Sequence, residues 1–129
     1  MDRSELARLL GTTPHVGEPR STAVAIAESD PGSFMAAFAA AVSEGGPVFL
    51  SDPAWGEAER NALRRLMALP PAKADGRGAA TRGWLMIPSG GSSGEVKFSW
   101  HDEETLAAAV LGFGKHFGVQ KVNVIGLLP

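Results

Sequence analysis

The chain has 129 residues and no cysteine, which removes disulfides, thiolate metal sites and any cysteine nucleophile from its repertoire. Histidine is scarce: His15, His101 and His116 are scattered, none with a second histidine at helical or strand ligand spacing, so a structural metal is not expected. Long apolar runs are missing too. No stretch approaches the roughly 18 to 20 residues a membrane span requires, and 44% hydrophobic with 20% charged residues is the balance of an ordinary globular protein. The first residues, Met1-Asp2-Arg3-Ser4-Glu5, carry acid where a secretory signal would carry a basic region followed by an apolar one. A cytoplasmic location without a membrane span is therefore the expectation. Positive charge is not in excess: 12 Lys and Arg against 14 Asp and Glu give a net charge of −2, and such a field repels nucleic acid. The basic stretch Arg60, Arg64, Arg65, Lys73, Arg77 and Arg82 has no interleaved aromatic platform, so it reads as a solvated helix face and loop, and nucleic acid is not an expected partner.

Small residues are concentrated in one place. The nine residues Ser89-Gly90-Gly91-Ser92-Ser93-Gly94-Glu95-Val96-Lys97 hold three glycines, three serines and a terminal lysine. Glycine lets backbone N–H groups turn inward and approach a bulky anion, since there is no Cβ in the way and positive φ costs little. The serines add hydroxyl donors and Lys97 a full charge. Unlike the phosphate loop in which lysine directly follows the last glycine and opens a helix, Glu95 and Val96 intervene here and a strand follows. Val96, Phe98 and Trp100 alternate with Glu95, Lys97 and Ser99. The apolar trio should face a core and Lys97 the opposite side. On composition alone the run reads sooner as a flexible strand-to-strand connection; the lysine position, the flanking strands and the upstream sequence turn the reading toward phosphate.

Around this run the hydrophobic pattern alternates between helix and strand. A short helical piece, Ser4 to Leu10, ends at Gly11; Thr22 to Ala27 reads as strand or extended chain. Asp30 caps and Pro31 opens a helix to Ser43 that carries Phe34 and Phe38 as core anchors and stops at Gly45-Gly46. Pro47 to Leu50 is a short apolar run suited to a parallel strand buried on both faces. A second helix, Gly56 to Leu69, has Leu63, Leu66 and Met67 as its buried stripe, with acids first and arginines last. Gly83 to Pro88 is the next strand, leading straight into the Ser/Gly run. Asp102 caps a helix with Leu106, Val110, Phe113 and Phe117 on one stripe, in which Gly112 and Gly114 imply close packing against a neighbour. The acids Asp102, Glu103 and Glu104 serve that helix start rather than a carboxylate pair, and Val122 to Pro129 is a last core-like strand. The expectation is one α/β layered (α/β/α-like) domain, incomplete, since a parallel strand of this kind needs cover on both faces; the 129 residues then form the front piece of a larger protein.

Ser89, Gly91, Ser92, Ser93, Gly94 and Lys97 resemble the phosphate-loop signature of the adenylate-forming (AMP-forming) enzymes, which include acyl-CoA synthetases, luciferases and peptide-synthetase adenylation domains. Gly90 replaces the usual serine and Val96 the usual proline. Ile87 to Gly94 with Lys97-Phe98 and His101, and upstream Val48 to Glu59, are similar to the o-succinylbenzoate–CoA ligase type of menaquinone biosynthesis. The resemblance implies that residues 1–129 are the N-terminal portion of the large AMP-binding domain, with the C-terminal domain absent. It implies an acid–CoA ligase using ATP with Mg2+ and CoA as co-substrate on a small carboxylic acid, and partnership with the missing C-terminal part of the same enzyme. Ser89, Gly90, Gly91, Ser92, Ser93, Gly94 and Lys97 would hold the ATP phosphates, while the family's later ATP elements would lie beyond Pro129 and leave the isolated chain inactive. The rival is a stand-alone nucleotide- or phosphate-binding module without catalysis.

Overall fold

A computed structural model describes residues 3–13, 22–68, 83–89 and 96–119. Among them are four helices, α1 (Arg3–Leu9), α2 (Pro31–Glu44), α3 (Glu57–Met67) and α4 (Glu103–Phe117), and four strands, β1 (Val24–Ile26), β2 (Val48–Leu50), β3 (Leu85–Ser89) and β4 (Lys97–His101). The strands form one sheet in the order β1-β2-β3-β4. β1, β2 and β3 run parallel and β4 returns antiparallel to β3. This is a small mixed α/β domain.

Local chemistry accounts for the helix boundaries. The Asp30 carboxylate accepts the Ser33 N–H at 2.7 Å and Pro31 occupies the first turn, while Gly45 closes α2 at φ +87°. Asp102 and Thr105 form a reciprocal capping box at the start of α4, which ends at Gly118 with φ +65°. Gly11, at φ +74°, ends α1.

Alternation along the strands divides the core in two. Ile26, Val48 and Leu85 point to one face and pack with Ala41 of α2, with Phe34, Phe38, Trp84 and Leu106 around them. Phe49 and Met86 point to the other and pack with Leu63 of α3, flanked by Trp55, Met67 and Phe98. Helices thus cover both faces, as an α/β layered arrangement requires. β1, β2 and β3 step across the sheet in one direction while α2 and α3 lie on opposite faces of it.

Some expected burial does not occur. Leu66 is 36% exposed, so the inner stripe of α3 is Leu63 with Met67. Among the described residues of α4, Leu106 is the one packed against the core; Val110, Phe113 and Phe117 of the same stripe are 65%, 49% and 61% exposed. Among the described residues a Cβ on Gly112 would meet nothing within 4 Å, so no described neighbour accounts for that glycine, whereas one on Gly114 would lie 3.0 Å from the Val119 carbonyl. The expected strand at 122–129 lies outside the described residues.

A residue with no local signal joins α1 to this frame. The Arg3 guanidinium donates to the carbonyls of Ala41, Val42, Gly45 and Gly46 at 2.7–3.0 Å, satisfying the C-terminal end of α2. Its Cζ lies 4.3 Å from the Trp84 ring centroid, a cation–π contact.

Candidate functional site

Of the seven residues assigned to phosphate binding, Ser89 and Lys97 are described; Gly90, Gly91, Ser92, Ser93 and Gly94 lie outside the described residues. The antiparallel register runs Leu85↔His101, Met86↔Trp100, Ile87↔Ser99, Pro88↔Phe98, Ser89↔Lys97. The two ends of the Ser/Gly run therefore leave and re-enter the sheet at one paired position.

That position stands at the carboxyl edge of the parallel strands. β2 ends at Leu50, and the Phe49↔Met86 pairing places Leu50 level with Ile87. β3 continues to Ser89, so the hairpin projects beyond the edge by two residues, about 7 Å. Ligands of open α/β sheets bind outside the carboxyl ends of the strands. The segment following β2 packs against this projection through Trp55, whose ring lies 6.1 Å from Phe98 in edge-to-face geometry. Ser51 gives both its N–H and its hydroxyl to the Ile26 carbonyl, and the Asp52 carboxylate takes the Ala54 N–H at 2.8 Å. Both side chains thus shape the edge.

The hairpin has two unlike faces. Phe98 and Trp100 lie with Phe49, at 5.2 and 6.5 Å between ring centroids, on the α3 side of the sheet. The expected alternation holds, although Trp100 remains 45% exposed at the outer strand. Lys97, Ser99 and His101 occupy the opposite face together with Ser89. Lys97 is exposed, and no described residue forms an ion pair with it. The Ser89 hydroxyl donates to the Lys97 carbonyl at 3.4 Å, a long bond that a better acceptor can displace.

Ser99 and His101 extend this polar row, with His101 Nε2 3.1 Å from Ser99 Oγ. The Ser99 hydroxyl has one proton and donates it to the Ile87 carbonyl at 3.1 Å; with that bond in place, the tautomer that carries its proton on Nε2 completes the pair by donating to Ser99 Oγ. In that arrangement the histidine supports the serine and does not act as its base. Asp102, the neighbouring acid, is committed to the α4 cap, and hydrogen bonding from the Thr105 N–H holds its carboxyl below the usual carboxylate range. Among the described residues no group of three or more His, Asp or Glu side chains could hold a metal ion, and no helix is long and apolar enough to cross a membrane.

Ser99 was the member of this row that motif reading left aside. Its signal was the period of two, which sets Lys97, Ser99 and His101 on a common face. Comparison with known proteins finds no matching family model, no matching curated protein and no matching solved structure.

Proposed function

We propose that this chain is the N-terminal portion of the large domain of an AMP-forming acid–CoA ligase, and that the β3–β4 hairpin is its triphosphate-binding element. One observation carries the reading: Ser89 and Lys97 are paired at the projecting tip of a hairpin on the carboxyl edge of a parallel sheet. A run of small residues leaving and returning there can present backbone N–H groups to an anion while the Lys97 ammonium approaches from the polar face. Ser89 would turn its hydroxyl from the Lys97 carbonyl to a phosphate oxygen, giving up only a 3.4 Å bond. Gly90, Gly91 and Gly94 would shape the nest, and Ser92 and Ser93 would add donors.

In the proposed reaction a carboxylate oxygen attacks the α-phosphate of ATP and pyrophosphate leaves, giving an acyl-adenylate. CoA thiolate then attacks the acyl carbon and AMP leaves. The hairpin's contribution is to hold and neutralise the departing pyrophosphate, which is positioning and electrostatics rather than proton transfer. Mg2+ would accompany the nucleotide and screen its phosphates. The o-succinylbenzoate assignment rests on the sequence resemblance, as does the cytoplasmic location.

Isothermal titration of the 129-residue chain with Mg-ATP, beside Lys97→Ala, tests the binding step. Saturable binding that weakens by about tenfold in the variant is expected for loss of a charge-assisted phosphate contact. Absence of binding, or equal affinity in the variant, defeats the proposal. Pyrophosphate exchange into ATP separates the ligase from a module that binds phosphate without chemistry: a shared active site formed with the rest of the enzyme restores exchange, a binding module never shows it.

A further inference from the structure

We propose that Ser99 and His101 are positioning residues for Lys97, pinning the register of β4 so that the lysine emerges opposite Ser89. The inference rests on the phosphate-binding reading of Lys97, but its structural half stands apart from it. Register in a strand is normally enforced by burying one face; on β4 that face is Phe98, half-buried against Phe49 and Trp55, with Trp100 beside Phe49 but 45% exposed. β4 is also an edge strand of the described sheet, with β3 as its one described neighbour.

A side-chain relay on the polar face adds a second tie. His101 Nε2 donates to Ser99 Oγ at 3.1 Å, and Ser99 donates across the strands to the Ile87 carbonyl at 3.1 Å. The relay has a direction. Because His101 supplies a proton to Ser99, the serine's own proton is left to point at β3. A slip of one residue would carry Lys97 to the aromatic face, and a slip of two would draw it about 7 Å back along the sheet, away from Ser89. Either slip breaks the Ser99–Ile87 bond, so the bond selects the one register in which the lysine sits at the tip.

The test is a double-mutant cycle on the 129-residue chain, reading Mg-ATP affinity by titration and amide exchange of Lys97 to His101 by NMR. Ser99→Ala is expected to weaken binding about fivefold, in line with loss of one hydrogen bond, and to speed exchange in β4 while β1 and β2 stay protected. Ser99→Thr, which keeps the hydroxyl, restores both readouts. His101→Phe, which keeps bulk and removes the donor, moves them in the same direction as Ser99→Ala. In the Lys97→Ala background Ser99→Ala has no further effect on affinity, as a residue acting through Lys97 requires. Additive losses in the double variant, or unchanged β4 exchange in Ser99→Ala, overturn the proposal. If the wild-type chain does not bind Mg-ATP, the phosphate reading fails by itself, and the exchange data alone decide whether Ser99 pins the strand.

Discussion

Gly83 immediately precedes Trp84 and β3, at the end of the hairpin opposite Lys97, and among the described glycines its replacement by alanine meets the closest atoms. An added Cβ would lie 2.0 Å from the His101 carbonyl oxygen, 2.1 Å from its carbon and 2.6 Å from its nitrogen. These are backbone atoms, so no side chain can rotate away. Ordinary contact begins at 3.4 Å, and the strands must therefore part by about 1.4 Å. Backbone hydrogen bonds of roughly 2.9 Å do not survive such a shift. One or two ladder bonds at about 1 kcal/mol each, added to an overpacking cost of about 1–3 kcal/mol, give an expected loss of about 2–5 kcal/mol for Gly83→Ala. The control is the same substitution at Gly112, where the added carbon meets nothing within 4 Å inside α4. There alanine should stabilise by about 0.5–1 kcal/mol through reduced backbone entropy in the unfolded chain. Urea denaturation followed by far-UV circular dichroism reads both. Unfolding of Gly83→Ala within about 0.5 kcal/mol of the parent, the range of an ordinary surface change, or a shift of the two variants in the same direction, would show that the His101 backbone does not press on this position.

Arg3→Lys should cost about 1–2 kcal/mol in the same assay, because a single ammonium cannot serve the four carbonyls at the end of α2 and stack on Trp84 as the planar fork does; a neutral result would show that α1 is not anchored by this residue. Asp30 and Asp102 are held below the usual aspartate range by the backbone N–H groups of Ser33 and Thr105 respectively. With folded values depressed, the stability they confer is complete above the ordinary pKa of about 3.9 and is lost as pH falls through the lowered folded values. Carboxyl chemical shifts should accordingly give midpoints below that of a model aspartate for both, and an ordinary midpoint at either position would mean that its cap is not formed.

Local rules carried the helices and strands and failed where a neighbour decides the outcome. Asp30-Pro31, Gly45 and Asp102 act within a few residues of themselves, so the ends of α2 and the start of α4 were readable from sequence alone. Val48-Phe49-Leu50 was readable as a doubly covered strand because its two inner residues do bury on opposite faces. Periodicity, in contrast, says which residues of a helix share a side and not whether anything lies against it. Leu106 and Val110 belong to one stripe, yet only the first reaches the core. Arg3 illustrates the other blind spot: its four acceptors lie 38 to 43 residues away, and no spacing within the chain announces them.

The candidate site was legible in the same uneven way. Residue type singled out the Ser/Gly run and its lysine, and the period of two placed Lys97 away from Phe98 and Trp100. What neither could supply is the pairing Ser89↔Lys97, since the run from 89 to 97 admits a hairpin of several registers and closing it depends on contacts from outside. Two such contacts bear on the choice, and they act at different points of β4. Gly83 permits the His101 backbone to approach from the far end, and the Ser99 hydroxyl grips Ile87 midway. A strand tied at its end and its middle leaves only its first residue at the open tip, and that residue is the lysine. The location of the Lys97 charge on this face thus follows from two groups that would not themselves touch an anion, which is why a motif search that weighs only potential ligand atoms passes over both.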